Sequence, residues 1–309
     1  PSFGEHKLNL DKIGHQIAII PFPEKGRAFF NLFSSIPEGR TVLLRVYGTF
    51  SHPNTLAGFL VFTLLLSKAC FVTSNKKWQK SVVLFFITLQ FLALCLTFSR
   101  AGIFAFFISS LIWFTLALSK KWSVYKNKKP TYILLGFIVT LSFACLLSLF
   151  PYLKVRGGLV NYNSFVRASD DHRVSCQRTA LEAISSRPIT GVGFNCFTFF
   201  PEKILKTFPQ TRDLPHNIYL IIFAEMGILG FACCFLFVFQ RLKAIFTQPQ
   251  SPYFHTLCTI FIAFLLIGFC DAYLWVHQTG RLMFFIVAGF LSATAPAKKN
   301  LPFQIETEA

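Results

Sequence analysis

A histidine and an asparagine, His216 and Asn217, stand in "LPHNIYLIIFAEMGILGF" (214–231), just ahead of a long apolar run. Arginines stand at 100, in "LTFSRAGIFAF", and at 173, in "DDHRVSCQ". Arg45, His52 and Asn54 share "RVYGTFSHPNTLAGF". Guanidinium groups bind phosphate and diphosphate through forked donors and stay charged at any working pH. Neutral imidazole takes up a proton near pH 7. Brought together, these groups suit transfer of a group from a diphosphate to a hydroxyl. The arginines would hold the departing diphosphate and the histidine would accept the proton. Each also has a plainer role. Arg100 would anchor a hairpin in the headgroup region, Arg173 would pair with Asp170 or Asp171, and His216 would cap a helix. His52, Pro53 and Asn54 would form a turn, and Asn54 and Asn217 would cap helices.

The elements that must position these residues are membrane helices. The chain of 309 residues is 53% hydrophobic and 14% charged, with 40 phenylalanines, outside the range of soluble globular domains. It has 30 Lys+Arg against 13 Asp+Glu, but the apolar content and the placement of the charges argue against nucleic acid as partner. Apolar segments long enough to cross about 30 Å of hydrocarbon lie at 53–72, 81–99, 101–118, 131–150, 217–240, 253–272 and 281–296. This predicts an all-α polytopic protein with seven spans. The second and third form one apolar stretch interrupted by "TFSRAG" (97–102), read as a tight hairpin with Arg100 at its tip, because a charge at mid-bilayer is costly.

Lys- and Arg-rich, acid-free connections at 73–80, 119–130 and 241–246, with "AKKN" (297–300) after the last span, are assigned to the cytoplasm. The expected organisation is then an outer N-terminal segment (1–52), four spans (53–150), an outer loop (151–216), three spans (217–296) and a cytoplasmic tail (297–309). Residue 1 is proline and no secretory signal pattern follows, so the chain is expected to begin within a longer protein. The loop is too long to be a mere connection. Its stretch 173–187 has Val174, Ala180, Leu181 and Ile184 near one helical face. Glu225 falls about 13 Å below His216 along a continuous helix, a depth that favours a neutral carboxyl hydrogen-bonded between helices. Most cysteines lie in apolar runs. Cys176 and Cys196 are in the polar loop, where a disulfide is an option in an oxidising compartment. No residue spacing fits a metal or cofactor motif, so none is expected.

Four pieces, in order, resemble the O-antigen ligase/polymerase superfamily: "RVYGTFSHPNTLAGFL" (45–60), "LTFSRAGIFAF" (96–106), "RVSCQRTALEAISSRPITGVGFNCF" (173–197) and "PHNIYLIIFAEMGILGF" (215–231). The resemblance implies a GT-C-like, metal-independent glycosyltransferase in the bacterial inner membrane. It would move a glycan from undecaprenyl diphosphate to a lipid or glycan acceptor hydroxyl on the periplasmic side, with inversion. It also implies that Arg100 and Arg173 engage the diphosphate and that His216 acts as base near the acceptor. Arg45, His52, Asn54, Asn217 and the loop glycines Gly191 and Gly193 are the expected substrate-binding residues. Cys176 and Gln177 stand where relatives often carry Trp, so aromatic stacking on a sugar is not expected there. A protein O-oligosaccharyltransferase of the same superfamily is the alternative. A lipid-linked sugar transporter, from another class, would prefer inverted repeats and several mid-membrane charges.

Overall fold

The computed structural model describes residues 19–21, 42–119, 128–156, 164–199, 214–247 and 251–293. The predicted N-terminal segment is therefore described only in part. Most of the 119–130 connection, the loop residues 157–163 and 200–213, residues 294–296 of the last predicted span and the tail 297–309 lie outside the described residues. A two-stranded antiparallel ribbon, β1 (Ile19–Pro21) and β2 (Val42–Leu44), pairs Ile19 with Leu44. Everything else that is regular is helical. In chain order the helices are α1 (Pro53–Thr73), α2 (Lys77–Leu96), α3 (Arg100–Leu118) and α4 (Lys129–Arg156). They are followed by α5 (Ser164–Ser186), α6 (Ile218–Thr247), α7 (Pro252–Cys270), the single turn α8 (Tyr273–Val276) and α9 (Gln278–Ala293). Helices keep every backbone hydrogen bond within the segment, as hydrocarbon requires.

Six of the seven predicted spans, those in α1–α4, α6 and α7, are long and apolar enough to cross a membrane. The seventh is the shorter apolar helix α9. It starts at Gln278 because α8 and the extended His277 divide it from α7. Helix starts follow local chemistry. Pro53 occupies the first turn of α1, and the His52 ring accepts from the Asn54 amide as cap. The Ser99 hydroxyl caps α3 on Gly102 N–H, and the Ser251 hydroxyl caps α7 on Phe254 N–H. Helices α1 and α7 form the centre of the bundle, each with 61% of its apolar window buried. By contrast, α2 and α4, at 22% and 17%, present most of their surface outward. In lipid, helices associate through close packing rather than hydrophobic exclusion, which favours small residues at contacts. Accordingly Gly102 of α3 lies against Ala57 of α1, where a Cβ would come within 2.8 Å of the alanine methyl.

Lys68 of α1 is fully buried and donates to the Ser110 hydroxyl of α3, with its Nζ 4.5 Å from the Phe106 ring centroid and 5.3 Å from that of Phe114.

The loop helix α5 covers the predicted amphipathic stretch, but it presents a different face inward. Cys176, Thr179, Ala180 and Ala183 are buried, whereas Val174 and Leu181 are 45% and 56% exposed. Its inner face packs on the start of α6, where Ala180 and Ala183 meet Ala224 and Phe197 with Leu220, Val192 and Ile184 around them. Small residues make that contact. A reading that ranked positions by bulk hydrophobicity therefore rotated the helix. Cys176 and Cys196 are free thiols, and the Cys176 sulfur lies 3.7 Å from His172 Nε2.

Candidate functional site

At the end of the bundle where α1 and α3 begin and α7 ends, the structure encloses a cavity of about 450 Å³. Arg45, Asn54, Arg100, Arg173 and His216 all line it, together with Gln177 and Asp271. Five of the residues singled out from the sequence thus meet in one space, delivered by four separate parts of the chain. Arg100 is the first residue of α3. The hairpin before it turns at Phe98, whose φ of 48° is left-handed, a strained state for a bulky residue. Phe98 itself lines the cavity. Arg173 projects from α5. His216 precedes α6, whose start is capped by the Asn217 carboxamide oxygen, accepting from Tyr219 N–H at 2.9 Å and Leu220 N–H at 3.1 Å. Asn217 therefore fixes the backbone next to His216 and does not line the cavity.

Arg45 and Asn54 belong to a buried relay. Arg45 Nε donates to the Thr97 carbonyl in the hairpin at 2.5 Å, and its Nη2 donates to Asn54 Oδ1 at 2.7 Å. Asn54 Nδ2 in turn donates to Asp271 Oδ2. The other oxygen of Asp271, Oδ1, accepts from Tyr273 N–H at 3.2 Å and lies 3.9 Å from His216 Nδ1; the residue is extended at the end of α7. That separation is too long for a hydrogen bond but within ion-pair reach. The relay therefore ties the α2–α3 hairpin, the start of α1, the end of α7 and the His216 segment to one carboxylate. Burial alone would raise the acidity constant of Asp271. His216, the Asn54 carboxamide and His52 outweigh that and hold it at about 2, so it is a carboxylate at every working pH.

His52 is close to this group without lining the cavity. Its Nδ1 accepts from Asn54 N–H at 3.1 Å. Burial lowers its pKa to about 4; Asp271 pulls the other way, and Arg45, His216 and His277 add to the lowering. It is a neutral helix cap above that pH.

Asp271 belongs to none of the sequence motifs. It lies past residue 240, beyond the four resembling pieces, and looks like an acid at the end of an apolar run. Only the position of that run's end, level with Asn54 and His216, could have marked it.

Gly191 and Gly193 lie elsewhere, against α6. The helix breaks at Gly227, with φ 63° and ψ −167°. The turn after α5 fills the break: Val192 N–H donates to the Ala224 carbonyl (2.9 Å), Gly193 N–H to the Glu225 carbonyl (3.0 Å), and Ile228 N–H to the Pro188 carbonyl (2.9 Å). The backbones touch. A Cβ on Gly191 would come within 2.3 Å of the Glu225 carbonyl oxygen, and one on Gly227 within 2.1 Å of that of Ile189. Both glycines also have positive φ. Glu225 is buried, with the N–H groups of Asn195 and Phe197 and the Trp275 indole beside its carboxyl group, and its Oε2 meets no hydrogen-bond partner among the described residues.

The fold and cavity define a polytopic helical membrane protein with an arginine-rich site at one end of its bundle. Residues 82–235 match the model of a family described as O-antigen ligase, and over that stretch the chain is a member of it. The match takes in Arg100, Arg173 and His216 and leaves Arg45, His52, Asn54 and Asp271 outside. No curated protein matches the chain.

Proposed function

We propose that this protein is a periplasm-facing glycosyltransferase of the bacterial inner membrane that moves a glycan from undecaprenyl diphosphate to an acceptor hydroxyl on a lipid or glycan. The observation that carries this reading is the convergence of Arg45, Arg100 and Arg173 with a His216–Asp271 pair in one cavity. Three guanidiniums against one carboxylate make the cavity a site for a polyanion, and diphosphate is the anion their geometry suits.

The chemistry follows from the placement. The acceptor oxygen attacks the anomeric carbon as the bond from that carbon to the diphosphate oxygen breaks. His216 takes the hydroxyl proton, and Asp271 stabilises the imidazolium that forms while holding the ring's orientation. Arg100 and Arg173 meet the charge that develops on the leaving diphosphate. Arg45, whose Nε and Nη2 are engaged by Thr97 and Asn54, contributes positive potential and fixes Asn54. Direct displacement inverts the anomeric centre. The protein groups present supply both the base and the stabilisation of the leaving group, so the reaction is expected to proceed in EDTA.

Binding of undecaprenyl diphosphate to the purified protein tests the anion site. The wild type is expected to bind it, and Arg100→Ala and Arg173→Ala each to weaken binding about tenfold, the scale of a lost charge-assisted pair. Equal affinity in all three proteins would contradict the assignment.

A further inference from the structure

We infer that Gln177 is a sugar-binding residue of this cavity, contacting the ring attached directly to the diphosphate; the inference rests on the function proposed above. Gln177 lies four residues after Arg173 on α5, so the two side chains rise from the same face of the helix one turn apart. Both line the cavity and both are only partly buried. On the adjoining side of the helix Ala180 and Ala183 pack on the start of α6, and Cys176 is buried. Gln177 is therefore held at a fixed height by a packed helix while its side chain faces the open space.

Its position along α5 gives the ligand. The turns of α5 beyond Gln177 pack on Leu220 and Ala224, just past His216 in α6. Moving along α5 from Arg173 to Gln177 thus moves from the group that holds the diphosphate toward the helix that follows the base. In a displacement the transferred ring lies between those two groups, because its anomeric carbon bonds to the diphosphate oxygen on one side and the incoming hydroxyl on the other. A carboxamide offers two donors and an acceptor, the complement of a ring hydroxyl or an acetamido group. The other carboxamide lining the cavity, Asn54, already bridges Arg45 and Asp271. A cavity of about 450 Å³ also has room for a sugar ring beside a diphosphate.

The test compares two ligands on wild-type, Gln177→Ala and Arg173→Ala proteins: undecaprenyl diphosphate, and the same lipid carrying a glycan. Gln177→Ala is expected to bind the bare lipid as wild type does, which also shows that it is folded, and to bind the glycosylated lipid about tenfold more weakly. Arg173→Ala is expected to weaken both. Unchanged affinity of Gln177→Ala for the glycosylated lipid overturns the inference, and so does an equal loss for both lipids. Wild-type protein that binds neither lipid overturns the proposed function and this inference together. Wild-type protein that binds the bare lipid, with no difference between wild type and Gln177→Ala on the glycosylated one, overturns this inference alone.

Discussion

Asp271 is held by Asn54 and the Tyr273 amide, and it faces the His216 ring at 3.9 Å. The role proposed for it is to keep that ring turned toward the cavity and to stabilise its charged form. Asp271→Asn preserves the shape and the Asn54 contact but removes the charge. It is expected to lower kcat about 100-fold, the low end of what a general base contributes, with bare-lipid binding retained. Wild-type kcat in this variant would remove Asp271 from the mechanism. His52 provides a separate test in acid. Its pKa is lowered from 6.5 to about 4 in the folded protein, so the unfolded chain binds the extra proton first. Its contribution to stability is fully present above pH 6.5 and is lost as pH falls to 4. Asp271, at about 2, does not titrate in that window. His52→Asn keeps a good helix cap and removes the titration. Its melting temperature in detergent is expected to fall less between pH 7 and pH 4.5 than that of wild type, and parallel curves would contradict this.

Two close contacts at glycines set the geometry between elements. The loop that follows α5 is clipped into the break of α6 at Gly227, which ties the helix carrying Arg173 to the helix that follows His216. Gly227→Ala puts a methyl where the Ile189 carbonyl stands and forces a left-handed alanine. It is expected to destabilise the protein by about 1–3 kcal/mol and to reduce transfer at least tenfold, read by thermal denaturation and initial rates. Unchanged values would mean that the loop and helix adjust independently. Tyr273 makes the second contact, with its hydroxyl so close to α1 that a Cβ on Gly58 would lie 1.6 Å away. Gly58→Leu is therefore expected to displace α8 and Asp271 with it, giving the low kcat of Asp271→Asn at a lower melting temperature. A sequence shows "AEMGILGF" as one apolar run, because nothing local distinguishes a glycine inside a helix from one that breaks it. The partner that exposes the difference, Pro188–Gly193, lies more than 30 residues away. The same limit explains the rotated face of α5, where alanine and cysteine make the contact and Val174 and Leu181 remain outside.

At the scale of the whole molecule, hydropathy is enough to read the helices. The apolar runs are helical, and Arg100, Arg173 and His216, far apart in the chain, line one cavity. What stayed hidden was the relay that orders them, since Arg45, Asn54 and Asp271 are joined through side-chain hydrogen bonds across 226 positions of sequence. The proposed orientation has the cavity in the periplasm and residues 119–130 in the cytoplasm. In a cysteine-free background, a cysteine at Arg100 is expected to react with an impermeant maleimide added to spheroplasts, and one at Ser119 only after lysis. The central claim, that this cavity transfers a glycan, is tested most directly by following transfer from a glycosylated undecaprenyl diphosphate to an acceptor in EDTA, with wild type, His216→Ala and Arg173→Ala side by side. Wild-type transfer is expected to survive chelation and to fall by two orders of magnitude or more in both variants. Transfer that persists in both variants would contradict the claim, as would wild-type protein that binds the donor but never transfers its glycan.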